Sequence, residues 1–322
     1  MKFSVVITTY NRLTLLQRAI NSVLNQTFPC ELVVADDCSL DGTQDYLKSL
    51  SAELSCHDNL PRLVYHRNEV NKGHAATVNA GVKVSSGDWI KFLDDDDYLS
   101  PNCLEEMVRA IALRQSAVIC SCVAARVDIN GVEKSRTPVV GPGLAYYIPQ
   151  TDIHYGMLLE LVPFGTPVQV ACSREAFLQI GGWDVELTSC DDIDSWIRIA
   201  QHGDAIFLNQ CLAYRTVWTG GYDQKISLKV RLDTNILMKE KIHALVDEKY
   251  RQDILPLQDI KSYLKLHWTI VALKSRNINS FLKIFDPCIF SCHAWRLLLD
   301  AILARRLKKY NSYIRKFVLI NI

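Results

Sequence analysis

An α/β fold is what this sequence predicts, on three observations. Short β-rich apolar runs at 4–8, 31–35 and 63–66 alternate with stretches in which apolar residues recur at helical spacing. The run Trp89-Ile90-Lys91-Phe92-Leu93 is apolar on both faces apart from Lys91, which suits a strand inside a sheet covered on both sides. Several of these runs end in polar, Asp-rich loops, and the crevice beyond the strand ends is where open α/β sheets bind ligands.

The first strand, Ser4 to Thr8, ends in Thr9-Tyr10-Asn11-Arg12. Leu13, Leu16, Ile20, Val23 and Leu24 then keep helical period, so an amphipathic helix should pack on the sheet. The second strand, Glu31 to Ala35, ends in Asp36-Asp37-Cys38-Ser39-Leu40-Asp41-Gly42-Thr43, before a helix near Gln44 to Leu50. A carboxylate at that strand tip commonly faces a nucleoside in nucleotide-binding α/β units, and an Asp-rich turn leading into a helix explains it equally well. After the third strand, Leu63 to His66, Asn71 to Gly81 reads as a small-residue helix whose Gly73 and alanines permit close backbone approach. No G-x-G-x-x-G follows the first strand and no G-x-x-x-x-G-K-[ST] occurs, so the dinucleotide-binding and P-loop versions of the fold are unsupported.

Gly87-Asp88 opens the fourth strand, which delivers Asp94, Asp95, Asp96 and Asp97 together at its carboxyl end. Four adjacent carboxylates repel one another and resist leaving water, so a folded chain holds them as a solvated loop or as a seat for a cation. Hard oxygen donors at a strand tip select magnesium or manganese over zinc. The plainer alternative is an acidic turn before a helix, with Ser100 as N-cap and Pro101 in its first turn.

Leu104 to Leu113 reads as a helix, and Ala117 to Val127 with the segment after Asn130-Gly131 as a β-hairpin. Pro138 to Pro149 reads as an irregular loop. Val168 to Cys172 is a strand, and Arg174 to Ile180 a helix capped by Ser173 and closed by Gly181. The loop Gly181-Gly182-Trp183-Asp184 precedes a helix in which Ile193, Trp196, Ile197 and Ala200 keep period. Asp191 and Asp192 fall in its first turn, where the helix dipole favours carboxylates. Capping accounts for one acid, and a pair beside a Gly-Gly-Trp loop is equally consistent with a site. From about Gln224 the chain becomes helix-forming and studded with Lys and Arg. A helical appendage with a solvated basic face is the favoured reading, because the charges are not cleanly segregated; a membrane-surface helix attracted to anionic lipid is the sharper one.

At 322 residues the chain can bury a full core in one large domain or two. A formal net charge of +1 argues against a dedicated nucleic-acid binder, which needs a basic face. Eleven cysteines without repeated metal-ligand spacing read as reduced thiols of a cytosolic protein, and Cys288, Cys292 and His293 find no second ligand pair. The amino terminus enters a strand directly, unlike a secretory signal, and no apolar run of membrane-spanning length occurs.

Together these landmarks resemble an inverting glycosyltransferase of the family-2 type, of the kind that builds bacterial surface polysaccharides. The resemblance covers roughly residues 3 to 220. Its carriers are Val5-Val6-Ile7-Thr8-Thr9-Tyr10-Asn11-Arg12, Asp36-Asp37-Cys38-Ser39 with Asp41-Gly42-Thr43, Asn71-x-Gly73 with Asn79 and Gly81, and Gly87-Asp88-Trp89-Ile90 with the Asp run. Gly181-Gly182-Trp183-Asp184 and Asp191-Asp192 with Trp196 and Arg198 complete the order. The resemblance implies a GT-A fold, that is, a Rossmann-like mixed sheet flanked by helices, as a catalytic domain over 1–223, with a helical C-terminal extension over 224–322. Thr8 and Tyr10 would line the nucleoside pocket, Asp37 would bind the uracil ring, and Asn79 would belong to the nucleotide-sugar site. Asp94 and Asp95 would face the ribose and the water shell of a divalent cation, Mn or Mg, with Asp96 as its direct ligand in a DxD motif. Asp192 would be the general base with Asp191 beside it, in the place of the more usual Glu, and Trp183 either a sugar platform or a core residue. The chain departs from the pattern at Val78, where an Arg is common, and around Tyr214 to Trp218, where no His stands.

The partners implied are a UDP-sugar or other nucleotide sugar and a glycan or lipid-linked acceptor, in polysaccharide or O-antigen synthesis. The place implied is the cytoplasm, with a peripheral contact at the inner face of the cell membrane. Two alternatives stay open. A nucleotidyltransferase would need a Gly-rich basic loop where Thr9-Tyr10-Asn11-Arg12 has no glycine, and a catalytically silent nucleotide-sugar-binding module would share the fold.

Overall fold

The structure is a computed structural model of the chain and describes all residues except 57–60, 140, 142, 219–225, 275–277, 307–317 and 321–322. It divides into two compact units, one of residues 1–150, 164–218 and 318–322, the other of 151–163 and 219–317.

The first unit is built on one mixed sheet. Its parallel half has the order β4 (Trp89–Asp94), β1 (Phe3–Thr9), β2 (Cys30–Asp36), β3 (Leu63–Arg67). β1 is buried along its whole length, as its unbroken apolar pattern requires. Crossover helices cover it. Leu16, Ile20 and Val23 of α1 (Leu13–Leu24) and Leu47 of α2 (Thr43–Leu54) share a core with Val5, Ile7, Leu32 and Val34. α3 (His74–Val84) approaches the strands so closely that a Cβ on Gly81 would lie 2.5 Å from a Val6 methyl carbon, which is why its sequence is rich in small residues.

Beyond β4 the sheet continues through β9 (Val170–Ser173), β6 (Ala117–Val127), β10 (Asp204–Thr216), β8 (Ala145–Ile148) and β11 (Val318–Ile320). β9 runs antiparallel to both β4 and β6 and so joins the two halves. β5 (Tyr98–Leu99) pairs with β10, and β7 (Glu133–Arg136) with β6 as the expected hairpin. Lys91, the one basic residue in β4, is fully buried. Its ammonium donates to the carbonyls of Val168 at 2.6 Å and Phe92 at 2.8 Å, and more weakly to those of Pro167 and Val170, strapping β4 to the turn before β9.

Two expectations about local structure are corrected and one strand is added. The loop expected over 138–149 contains β8, whose Ala145, Tyr146 and Ile148 are buried and which pairs with β10 from Ala205 to Leu208. β10 itself went unread, although its two apolar ends, Ala205-Ile206-Phe207-Leu208 and Leu212-Ala213, are buried in the sheet. The N-cap of α4 (Cys103–Leu113) is Asn102 rather than Ser100, whose hydroxyl donates to the Asn102 side chain and whose carbonyl accepts from Cys103 N–H.

The second unit holds α5 (Gln150–Leu158) but for its first residue. The remaining helices of this unit are numbered after α6 (Arg174–Gln179) and α7 (Asp191–Ile199) of the first. They are α8 (Leu228–Leu245), α9 (Leu257–Lys274), α10 (Ile278–Ile284) and α11 (Cys292–Arg306). Leu232, Leu264, Ala272 and Ile284 form one small core, and Leu266, Ala294 and Leu298 another. A buried Asp152 accepts from Tyr250 Oη at 2.9 Å and pairs with Lys249 at 2.6 Å. Among the described residues no helix is long and apolar enough to cross a membrane. All eleven cysteines are free thiols, and His293 pairs with Asp259 rather than with Cys288 or Cys292.

Candidate active site

Because β4, β1 and β2 are adjacent and parallel, their carboxyl ends open on one edge. Thr8 stands opposite Asp94 and Thr9 opposite Asp36. The four acids after β4 do not act as one cluster. They form a turn closed by the Asp97 N–H on the Asp94 carbonyl at 3.0 Å, in which Asp95 and Asp97 point inward and are buried while Asp94 and Asp96 stay partly open.

The inward pair braces the loop. Asp95 accepts from Thr9 Oγ1 at 2.8 Å and pairs with Arg12 at 3.0 Å. Burial, only partly offset by Arg12, pushes its carboxyl up to about 7. Asp97 accepts from the Thr216 N–H at 2.7 Å, and burial together with Asp96 and Asp94 holds it well above the usual carboxylate range.

The outward pair faces the crevice. Asp94 Oδ1 accepts from Thr8 Oγ1 at 3.2 Å and from His74 Nε2 at 3.0 Å. Burial raises the Asp94 carboxyl, yet His74, Arg12 and Thr8 outweigh it and the net shift is downward. Asp96 Oδ2 accepts from Arg12 and from Trp218 Nε1, both at 3.0 Å, and its carbonyl from Arg18 at 2.6 Å. Asp94 Oδ2 and Asp96 Oδ1 receive no hydrogen bond from the described residues. Two hard carboxylate oxygens two positions apart, in an acidic crevice, fit a divalent cation by donor chemistry. No group of three or more His, Cys, Asp or Glu converges among the described residues, so the remaining ligands would be water and the substrate's own oxygens.

His74 links this edge to the helix acids. At the start of α3, after Gly73 with its φ of 85°, its Nε2 faces Asp94 and its Nδ1 lies 3.3 Å from Asp191 Oδ2. Burial opposes the imidazolium, but Asp94 and Asp191 prevail and hold it well above its ordinary value. Asp191 and Asp192 open α7 after Cys190, which takes a left-handed φ of 59°. Burial, then the neighbouring Asp191, push the Asp192 carboxyl up to about 7. Asp194 in the same turn is buried and pairs with Arg198 at 2.7 Å, so it is spent on structure. Asp94 and Asp191, nearly a hundred residues apart in sequence, are thus bridged by one imidazole ring.

The remaining expected residues are placed as follows. Asp37 is buried and accepts from Asn68 Nδ2, Lys72 N–H and Gly73 N–H at 2.8 to 2.9 Å, which fixes the loop leading into α3. Tyr10 is exposed, just past the buried Thr8 and Thr9, and the Thr9 carbonyl accepts from the Asp37 N–H at 2.9 Å. Asn79 clamps the backbone of Trp183 through two bonds of 2.8 and 2.9 Å, and a side chain on Gly182 would collide with it. Trp183 is 2% exposed, its ring packed on Phe92, Trp196 and His74. That packing supports the core reading and leaves no open face for a sugar. His74, Arg12 as a partner of Asp95 and Asp96, and Trp218 were not singled out from the sequence.

The Glycosyl transferase family 2 model matches residues 4–181. An uncharacterized glycosyltransferase of Bacillus subtilis, YwdF, is 31% identical over 62% of this chain and 69% of its own. The GalNAc(5)-diNAcBac-PP-undecaprenol beta-1,3-glucosyltransferase of Campylobacter jejuni is 34% identical over 38% of each chain. Among solved structures, S. aureus TarS 1-349 in complex with UDP-GlcNAc superposes with a TM-score of 0.61 at 17% identity, over 88% of this chain and 90% of that one. The mannosyltransferase PcManGT of Pyrobaculum calidifontis, in complex with GDP-Man and Mn2+, gives 0.58 at 19%, over 97% and 84%. At those identities the structures speak for the fold. With the match spanning more than half of its length, the chain belongs to glycosyltransferase family 2, on a GT-A fold.

Proposed function

We propose that this chain is an inverting, metal-dependent glycosyltransferase that moves a hexose from a UDP-sugar, or another nucleotide sugar, to a hydroxyl of a lipid-linked oligosaccharide in surface-polysaccharide or O-antigen assembly. The catalytic domain is assigned to 1–223 and the helical extension to 224–322, at the cytoplasmic side of the membrane. The observation that supports the reading is the His74 bridge between Asp94 of the acid run and Asp191, the neighbour of the candidate base Asp192. The donor class is supported by the nucleotide sugars bound in two solved neighbours, and the acceptor class by the undecaprenol-linked substrate in the name of the C. jejuni relative.

In this reading Tyr10 and Asp37 face the nucleoside, Asp37 through the loop it fixes, while Thr8 aims Asp94 at the ribose. Asp96 would hold a divalent cation, Mn or Mg, which when bound offsets the charge growing on the departing diphosphate. Asp192 takes the proton of the acceptor hydroxyl as that oxygen bonds to the anomeric carbon from the face opposite the diphosphate, and a single displacement inverts the centre. A carboxyl near 7 is a better base than an ordinary Asp and is still ionised at neutral pH in a substantial fraction. Asn79 and Gly182 hold Trp183, whose ring backs His74 in the crevice wall.

Asp192→Asn is the test. Transfer should fall about a hundredfold or more while donor affinity, measured by calorimetry with Mn2+, stays within about threefold. Equal loss of donor affinity would remove Asp192 from the role of base. Mass spectrometry of products on defined lipid-linked acceptors identifies the acceptor.

A further inference from the structure

We propose that α11 is a docking element for an anionic lipid surface. Ala294 and Leu298 turn into the small core with Leu266. On the adjoining face Trp295, Leu299, Ile302 and Leu303 are 40, 55, 39 and 52% exposed. At 3.6 residues per turn these four fall within roughly 100° of the helix circumference. The Trp295 indole N–H donates to the Ile289 carbonyl at 2.7 Å, which fixes the ring at the surface. Phe290, just before the helix, is 80% exposed and meets the ring of Phe285 edge-on. Single exposed leucines are ordinary, whereas a stripe of four at helical spacing marks an interaction surface.

Charge identifies the partner. Residues 287–322 contain seven basic residues, Arg296, Arg305, Arg306, Lys308, Lys309, Arg315 and Lys316, against Asp300 alone. Residues 1–286 contain 29 basic and 34 acidic ones. The chain is therefore near neutral only in sum, and three of the seven, Arg296, Arg305 and Arg306, belong to the helix that carries the stripe, the other four following it in sequence. Asp300 lies 4.0 Å from Arg296, so the one acid is partly offset in place. A second copy would bring the same positive charge to the stripe, and nucleic acid gains nothing from Leu and Ile. An anionic bilayer interface takes both features, apolar side chains at the headgroup boundary and basic ones on the phosphates.

This inference rests on the proposed lipid-linked acceptor for its purpose, and its test is independent of catalysis. Full-length protein is sedimented with vesicles of phosphatidylcholine alone and with about a quarter phosphatidylglycerol, at about 0.1 M and about 0.5 M NaCl. Binding should be at least about tenfold tighter to the anionic vesicles and largely lost at the higher salt. Leu299→Glu with Ile302→Glu should reduce it about tenfold or more with an unchanged melting curve, and Arg305→Gln with Arg306→Gln should weaken it likewise. Indifference to lipid charge, unaltered binding of the Glu variant, or a dimer that the Glu variant dissolves without any vesicle binding would each overturn the proposal. Slow hydrolysis of nucleotide sugars with Mn2+, followed in the same samples without vesicles, keeps the two readings apart. Its persistence alongside failed docking leaves the transferase intact, and its absence alongside successful docking counts against the transferase alone.

Discussion

As the proposed base, Asp192 would carry two opposing demands, to stay ionised enough to take a proton and basic enough to be useful. Its neighbours set that balance. Burial and Asp191 push the carboxyl up, whereas His74 pulls it down. The active form is deprotonated, so transfer should rise with pH and level off above about 7, falling about tenfold per unit below. Asp191→Asn removes an upward cause and should move the midpoint lower. His74→Gln removes a downward one and should move it higher. A profile of kcat against pH for the three proteins checks both signs, and shifts in the same direction would break the assignment. Arg12 poses a second question at this scale, since its guanidinium occupies one oxygen of the carboxylate assigned to the metal. Arg12→Gln should tighten Mn2+ about tenfold in the absence of nucleotide, read from the free-ion signal in electron paramagnetic resonance. Arg18→Gln should change it far less, because Arg18 bonds the Asp96 carbonyl and not its carboxylate.

Elements place these residues, and Lys91 shows at what cost. A fully buried ammonium loses its hydration, which lowers its pKa, and four backbone carbonyls around it replace the lost water. Lys91→Met keeps the volume but leaves those carbonyls without their donor, and should reduce stability by about 2–4 kcal/mol in urea unfolding. Much of this architecture was legible. β4 read as a strand buried on both faces because its apolar run does not alternate, β1 and β2 as strands from their β-rich apolar runs, and α1 as a helix because its apolar residues keep helical period. β10 was not, since Asn209-Gln210-Cys211 interrupts its pattern where the structure has a register shift between Leu208 and Cys211. β8 hid among Pro138, Gly141, Gly143 and Pro149, whose turn chemistry outweighed four strand residues. Within the site the acid run and the Asp pair were legible as types in order. What was hidden is what only tertiary contact decides: which two of four aspartates face outward, and that His74, with partners 20 and 117 positions away, ties them to α7.

At the scale of the whole molecule, donor and acceptor belong to different phases in the proposed reaction. A nucleotide sugar is a soluble anion, and a lipid-linked oligosaccharide is confined to an interface. The charge distribution answers to that division, with an acidic excess through residue 286 and a basic excess after it. An enzyme that reaches its acceptor through interfacial attraction should lose rate when salt screens the interface, because each basic residue contributes about 1 kcal/mol near an anionic surface at low ionic strength and far less beyond a Debye length. Transfer to a lipid-linked acceptor in vesicles containing phosphatidylglycerol should therefore fall about tenfold or more between about 0.05 and 0.5 M NaCl. Transfer to a short-chain acceptor free in solution should change by no more than about twofold, since the crevice acids and Arg12 are partly or fully buried and screened much less. Parallel losses on both acceptors would place the salt sensitivity in the donor site instead, and a flat response on vesicles would mean that the acceptor is reached without the basic helix.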